Sequence, residues 1–188
     1  MKRAIATLLV SLFATTTASA DPLPVRPILP ASPVPAWAPT FRPLPPPVLA
    51  CPDPSAERID VAISARTSRF AGRVRITGTV KNVGGVAFVS GENQQSAYLY
   101  EIPAGGRARL VAQRSFQNLP RGAEVVVAFE RGWNASSPAE GEFPPTYRLL
   151  VGYDPDILID GNPKNDDCGS ANNTRDRSGR DVNGLFAL

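Results

Sequence analysis

Between Ile59 and Tyr153 apolar and polar side chains alternate in short runs, and glycine or proline stops each run before it reaches the length of a stable helix. A period of two puts successive side chains on opposite faces of an extended chain, so each run predicts a strand with one buried face and one wet face. Ile59, Val61 and Ile63 share one face, with Asp60, Ala62 and Ser64 opposite. Val74, Ile76 and Val80 alternate with Arg73, Arg75, Thr77, Thr79 and Lys81, and Asn82-Val83-Gly84-Gly85 then breaks the run. Further strands are predicted over 97–102, where Tyr98 and Tyr100 share a face, over 107–116, and over 124–131 with Val125, Val127 and Phe129 inward. A last clear strand covers 146–153, with Tyr147, Leu149, Val151 and Tyr153 on one face. About seven such strands without a competing helix predict an all-β protein, an Ig-like antiparallel β-sandwich, with a small barrel as the alternative.

Two cysteines, Cys51 and Cys168, bracket nearly all of this patterned sequence. A bridge between them would close on the order of a hundred residues and remove roughly 4–5 kcal/mol of unfolded-state entropy. That is comparable with the whole net stability of a small domain, about 5–15 kcal/mol. The chain has no C-x-x-C and no histidine, so a disulfide is favoured over redox or metal chemistry at these sulfurs.

The N-terminus predicts the compartment in which such a bond forms. Lys2 and Arg3 precede a short apolar run, 4–13, and Ala18-Ser19-Ala20 is an A-x-A cleavage site, so residues 1–20 read as a bacterial signal peptide cleaved after Ala20. The apolar run is about half the ~20 residues that span a bilayer, and no later segment approaches that length, so no transmembrane anchor is expected. The mature protein is therefore expected in the periplasm or secreted. Removing Lys2 and Arg3 takes the formal charge from +3 to +1. The remaining arginines, among them Arg66, Arg69, Arg73, Arg75, Arg107, Arg109 and Arg114, are spread along the strands and read as solvated faces, so a nucleic-acid partner is not expected.

Residues 21–50 carry more than half of the 20 prolines and predict an extended, polyproline-like arm. A semi-rigid spacer is the simplest reading. Trp37, Phe41 and interspersed Leu23, Val25, Ile28 and Leu29 are more apolar than a spacer needs, so docking of the arm on its own domain or on a partner stays open. The sandwich is expected over 51–168, followed at 169–188 by a loose polar tail whose apolar end, 182–188, could instead add an edge strand.

Three stretches carry a family resemblance. They are the run from Gly72 through Lys81-Asn82-Val83-Gly84, the run Pro145-Thr146-Tyr147 through Tyr153-Asp154-Pro155-Asp156, and the polar Asp160-Gly161-Asn162-Pro163-Lys164-Asn165-Asp166-Asp167. Together they resemble the CARDB family, the cell-adhesion-related domains of bacteria, over roughly residues 58–167. The resemblance implies an Ig-like fold and an extracellular interaction or spacer role without enzymatic activity. Where the family has a glutamate ahead of the asparagine run, this chain has Asp160. Tyr147 falls where a tyrosine corner would set its phenol against backbone groups across the sandwich. Trp133, in a Gly-Trp-Asn loop after the fifth strand, reads as a core lid or loop staple.

The absence of histidine excludes Ser-His-Asp, Cys-His and zincin arrangements, and no G-x-S-x-G, P-loop or G-x-G-x-x-G is present, so catalysis is not expected. The densest set of oxygens is Asp154, Asp156, Asp160, Asn162, Asn165, Asp166 and Asp167. Aspartate and asparagine populate turns for local hydrogen-bonding reasons, and that is the first reading. The spacing does not match an EF-hand, and if calcium is bound, the expected ligands are Asp154, Asp156 and Asp160. No other cofactor is expected. The sequence thus predicts an exported interaction module for a protein or glycan partner in the cell envelope. The alternative is a structural accessory of an envelope assembly in which the arm is the docking element.

Overall fold

The computed structural model describes residues 51–188, so the signal peptide and the proline-rich arm lie outside the described residues. Seven antiparallel strands form two sheets. The strands are β1 (Pro54–Arg66), β2 (Ala71–Asn82), β3 (Gln95–Ile102), β4 (Arg109–Ser115), β5 (Glu124–Asn134), β6 (Thr146–Tyr153) and β7 (Thr174–Ser178). One sheet has the order β1-β2-β5 and the other β4-β3-β6-β7. This is an Ig-like sandwich in which the fourth strand pairs with the third.

The inward faces follow the alternation. Ile59, Val74, Ile76, Val80, Val125, Val127, Leu149 and Val151 are buried between the sheets, joined by Phe88 and Tyr147. β3 behaves differently. Its inward residues are Gln95, Ala97, Leu99 and Glu101, whereas Tyr98 and Tyr100 stack on each other on the outer face, with ring centroids 6.3 Å apart. Trp133 is an inward residue of β5 and not a loop residue, and its indole nitrogen donates to Asn183 Oδ1 at 2.8 Å.

The C-terminal segment corrects the expectation of a loose tail, and of a sandwich ending at 168. β7 pairs with β6, and Arg180–Ala187 form a helix, α1, that buries Val182 and Phe186 one turn apart on the same face. The strand reads as polar because both its faces are used by side chains other than apolar ones. Arg175 Nε donates to the carbonyl of Ala56 at 3.0 Å and an Arg177 guanidinium nitrogen to that of Ile59 at 2.7 Å, stitching the second sheet to β1 of the first. On the opposite flank Arg114 of β4 donates to the carbonyl of Val126 in β5 at 3.1 Å. Arg66 closes over α1, its guanidinium 5.1 Å from the Phe186 ring centroid. Among the described residues no helix is long and apolar enough to cross a membrane.

Cys51 and Cys168 form a disulfide that links positions 117 residues apart. It joins the chain just before β1 to the chain just before the 3-10 turn Ser170–Asn172 and β7. Beside it Asn82 is fully buried and has every side-chain hydrogen-bonding group engaged. Its Nδ2 donates to the carbonyls of Val86 at 2.8 Å and Leu119 at 2.9 Å, and its Oδ1 accepts from the amides of Asp53 and Gly84, both at 3.1 Å. Gly84 follows for a steric reason, since a Cβ there would lie 2.3 Å from the carbonyl oxygen of Cys51 and 2.6 Å from the amide of Asp53. The Lys-Asn-x-Gly sequence is thus the knot that holds the entry of β1, the exit of β2 and the loop before β5.

Replacing Asn82 by alanine would leave the buried amides of Asp53 and Gly84 without a partner and would take one bond each from the carbonyls of Val86 and Leu119, the latter keeping the Phe88 amide, at about 1–3 kcal/mol for each group that water cannot reach. Asn82→Ala is expected to lower the unfolding free energy by about 3 kcal/mol or more in urea titrations with the disulfide intact. Lys81→Ala, which loses only a partly exposed 3.9 Å ion pair with Glu124, is expected to change it by less than about 1 kcal/mol.

Candidate functional site

The strands run lengthwise between two ends. Cys51, the start of β1 and the end of β6 lie at one, and the end of β1, the start of β6 and α1 lie at the other.

The acidic loop falls at the disulfide end, and its side chains are spent on its own architecture. Asp160 accepts from Asn165 Nδ2 at 2.7 Å, from Gln94 Nε2 at 3.2 Å and from the Asn162 amide at 2.8 Å. Those bonds hold its carboxyl below the usual range. Asp156 is pushed the other way, chiefly by its hydrogen bond and charge repulsion with Asp154. Asp167 accepts from Tyr153 at 3.0 Å, from Asn173 Nδ2 at 2.6 Å and from the Gly169 amide at 2.8 Å. Burial, reinforced by Asp167, raises the Tyr153 phenol. Among the described residues no three acidic or cysteine side chains converge as a set that could hold a metal ion. Asp160 is engaged within its own turn, and Asp154 and Asp156 lie against each other. Protein spanning residues 21–188 is expected to show the same thermal midpoint in calcium as in chelator; a rise of several degrees with calcium would assign the ion to this loop.

A different cluster occupies the helix-capped end. The inward phase of β3 carries Glu101 into the interior, where the residue is 3% exposed. Antiparallel register places Arg109 of β4 and Tyr147 of β6 directly across from it on either side. Arg131 arrives from β5 in the other sheet. One Glu101 oxygen accepts from Arg131 and from the Tyr147 hydroxyl, the latter at 3.2 Å, and the other oxygen accepts from Arg109. Tyr147 therefore sets its phenol against a carboxylate and not against the backbone as a tyrosine corner would. Arg109, expected on a solvated face, keeps an exposed stem while its guanidinium reaches inward to Glu101.

Glu140 joins from the single π-helical turn Pro138–Glu142, whose start is capped by Ser137 Oγ accepting from the Glu140 amide at 3.3 Å. One Glu140 oxygen accepts from Arg131; the other, Oε2, is buried with no hydrogen-bond partner. Asn183 of α1 fixes the turn by donating to the Gly141 carbonyl at 2.7 Å. Arg131 also lies over Trp133, 5.4 Å from its ring centroid.

Burial alone would raise the Glu101 carboxyl, but the Arg109 and Arg131 guanidiniums outweigh it and hold it below its ordinary value. Glu140 goes the opposite way, lifted by burial and by the Glu101 charge against the pull of Arg131. Burial and the neighbouring Glu101 raise the Tyr147 phenol. A cavity of about 340 Å³ opens over this cluster, with Glu101, Arg107, Arg109, Arg131, Glu140 and Phe143 in its wall. Phe143 is 62% exposed, and Arg107 is exposed with no carboxylate paired to it among the described residues. Both Glu101 oxygens accept hydrogen bonds, while Glu140 Oε2 is buried without a partner and Arg107 has no carboxylate partner among the described residues. The sequence signal for the site is Glu101 itself, a charge in phase with Ala97 and Leu99.

No protein-family model matches the chain, and no curated protein sequence matches it. Among solved structures, β-glucosidase 3B from Thermotoga neapolitana in complex with glucose is similar at 16% identity with a TM-score of 0.26. The match covers 65% of this chain and 16% of that enzyme, so this chain spans a small part of its length.

Breaking a buried ion pair by removing one partner strands the other charges, which typically costs about 3–5 kcal/mol. Glu101→Gln is expected to lose about 3 kcal/mol at neutral pH. A carboxyl whose folded value lies below its ordinary value near 4.5 contributes stability above that pH and loses it as pH falls through the lower folded value. The gap between wild type and Glu101→Gln in urea midpoint is therefore expected to be full at pH near 7 and to shrink below pH of about 4.

Proposed function

We propose that the protein is a non-enzymatic, exported interaction module of the bacterial cell envelope, of the kind the CARDB resemblance implies, and that it binds a protein or glycan partner through the helix-capped end of its sandwich. The observation that carries this reading is the placement of the open, charged cavity. It lies at the opposite end from Cys51, where the proline-rich arm joins, with the thirteen residues of β1 running between the ends over about 40 Å. The signal-peptide pattern of 1–20, together with a disulfide suited to an oxidising compartment, supports a periplasmic or secreted location. The absence of histidine supports a binding role over catalysis.

The rival reading makes the arm itself the docking element. Both can be tested in the full mature chain, Asp21–Leu188, immobilised and exposed to solubilised envelope that has been divided into protein and glycan fractions. Arg107→Glu is expected to reduce specific retention at least about tenfold, because it reverses the charge at the cavity mouth. The double substitution Trp37→Ala with Phe41→Ala is expected to leave retention unchanged. The reverse pattern selects the arm, and no specific retention from either fraction ends the reading.

A further inference from the structure

We propose that the cavity over Glu101 binds an acidic sugar unit, a hexuronate-type residue of an envelope glycan; this rests on the reading of the helix-capped end as the recognition surface. Four observations converge on that chemistry.

The first is charge. Arg107, Arg109 and Arg131 face two carboxylates, Glu101 and Glu140, across one cavity. Arg109 and Arg131 are engaged with those carboxylates, and Arg107 is the cation without a carboxylate partner among the described residues. A ligand bearing one negative charge balances the site, and a guanidinium fork is well matched to a carboxylate.

The second is the unpartnered Glu140 Oε2. A buried acceptor without a donor is costly, and it is best relieved by a hydroxyl or amide brought in by a ligand. The other buried side-chain oxygens without partners among the described residues belong to Ser90, Gln95, Asn165, Asn172 and Asn173, which are neutral and do not line this cavity. A ligand that is only an anion would satisfy Arg107 and leave Glu140 worse off through repulsion. A sugar acid satisfies both, since its carboxylate accepts from Arg107 while a ring hydroxyl donates to Glu140.

The third is the apolar part of the wall. Phe143 stands exposed beside Pro103 and Pro145. An aromatic face next to proline rings suits the C–H face of a pyranose, whose hydroxyls then point to the rim. The fourth is size, since a cavity of about 340 Å³ is at the small end of ligand sites and fits one or two sugar rings better than an extended peptide. An acidic peptide could also meet Arg107 with a carboxylate and Glu140 with a backbone N–H, so it is the small cavity and its Phe143–proline wall that favour the sugar.

The test is a titration of the full mature protein, ¹⁵N-labelled, with D-glucuronate, D-glucose and glutarate as separate probes, following amide shifts of residues 101–109 and 139–143. Saturable shifts with glucuronate are expected, with glucose and glutarate at least about tenfold weaker, because each lacks one of the two matched groups. Arg107→Gln, a substitution on an exposed side chain, is expected to weaken glucuronate about tenfold without altering the unfolding midpoint. Equal binding of glutarate would overturn the sugar in favour of an acidic peptide, and equal binding of glucose would overturn the role of charge. No saturable shift with glucuronate, or an Arg107→Gln variant that binds as wild type does, would also overturn it. Arg107-dependent retention of an envelope fraction alongside a failed glucuronate titration would remove only the sugar assignment and leave the recognition surface standing.

Discussion

Four backbone groups from three separate stretches of chain meet at the side chain of Asn82, in a place water does not reach. An amide side chain has two donors and an acceptor oxygen with two lone pairs, and here all are used. The disulfide depends on this arrangement for its position. Gly85 donates to the Cys51 carbonyl at 3.1 Å, Val83 to that of Asp53 at 2.8 Å and Cys168 to that of Pro52 at 3.2 Å, so the loop that Asn82 organises also presents Cys51 to Cys168. The covalent bond constrains the unfolded chain, and the amide decides where in the folded one the bond can form. A sheet entry without Asn82 would have orphan groups on both sides of the bridge.

Away from that knot, the two sheets are joined at their flanks by arginine. A sandwich leaves carbonyls along its outer strands that no neighbouring strand reaches, and exposed edges invite pairing with other chains. Arg175 and Arg177 reach from β7 to β1, and Arg114 reaches from β4 to β5. Long charged side chains thus serve three purposes at once, bonding a carbonyl, covering apolar surface with their stems and keeping the edge charged. Other arginines on the strands pair with carboxylates instead, as in the two-bond pairs of Arg58 with Glu124 and Arg148 with Asp176.

The sequence made β1, β2, β5 and β6 readable because each buries one aliphatic face and wets the other, the condition under which period two survives in the residues. β3 obscured its own phase. Its inward face is capped by Gln95 and Glu101 while Tyr98 and Tyr100 lie outside, so polarity and aromaticity point to opposite faces. β7 carries Thr174-Arg175-Asp176-Arg177-Ser178, with no apolar residue at all. Its place is set by pairing with β6 and by guanidinium bonds to distant carbonyls, which no local pattern encodes. The motif Lys81-Asn82-Val83-Gly84 was visible as a turn, but its reason, a knot with Asp53 and Leu119, lies in contacts far along the chain. Of the candidate site the sequence reading named Arg107, Arg109 and Tyr147, in other roles, and missed Glu101; Arg131, Glu140 and Phe143 come together through a register and a π-helical turn that appear only on folding.

The two ends of the molecule solve the burial of polar groups differently, and the contrast bears on function. At Asn82 the buried groups are neutral and each finds its match, which is an arrangement that stabilises a single conformation. At Glu101 a carboxylate, two guanidiniums and a phenol are drawn together at the interior, and desolvating such charges offsets much of what their attraction returns. A leucine on β3 facing a methionine on β5 would fill the space with less cost. What the charged version provides and an apolar one would not is a cavity floor of fixed polarity, with Arg131 held between Glu101, Glu140 and Trp133 and hence unable to turn away. Preorganised charge of that kind does little for folding, and it lowers the cost of ordering side chains when a complementary ligand arrives. The buried, unpartnered oxygen of Glu140 and Arg107, which has no carboxylate partner among the described residues, border that floor, and it is on them that the proposed recognition rests.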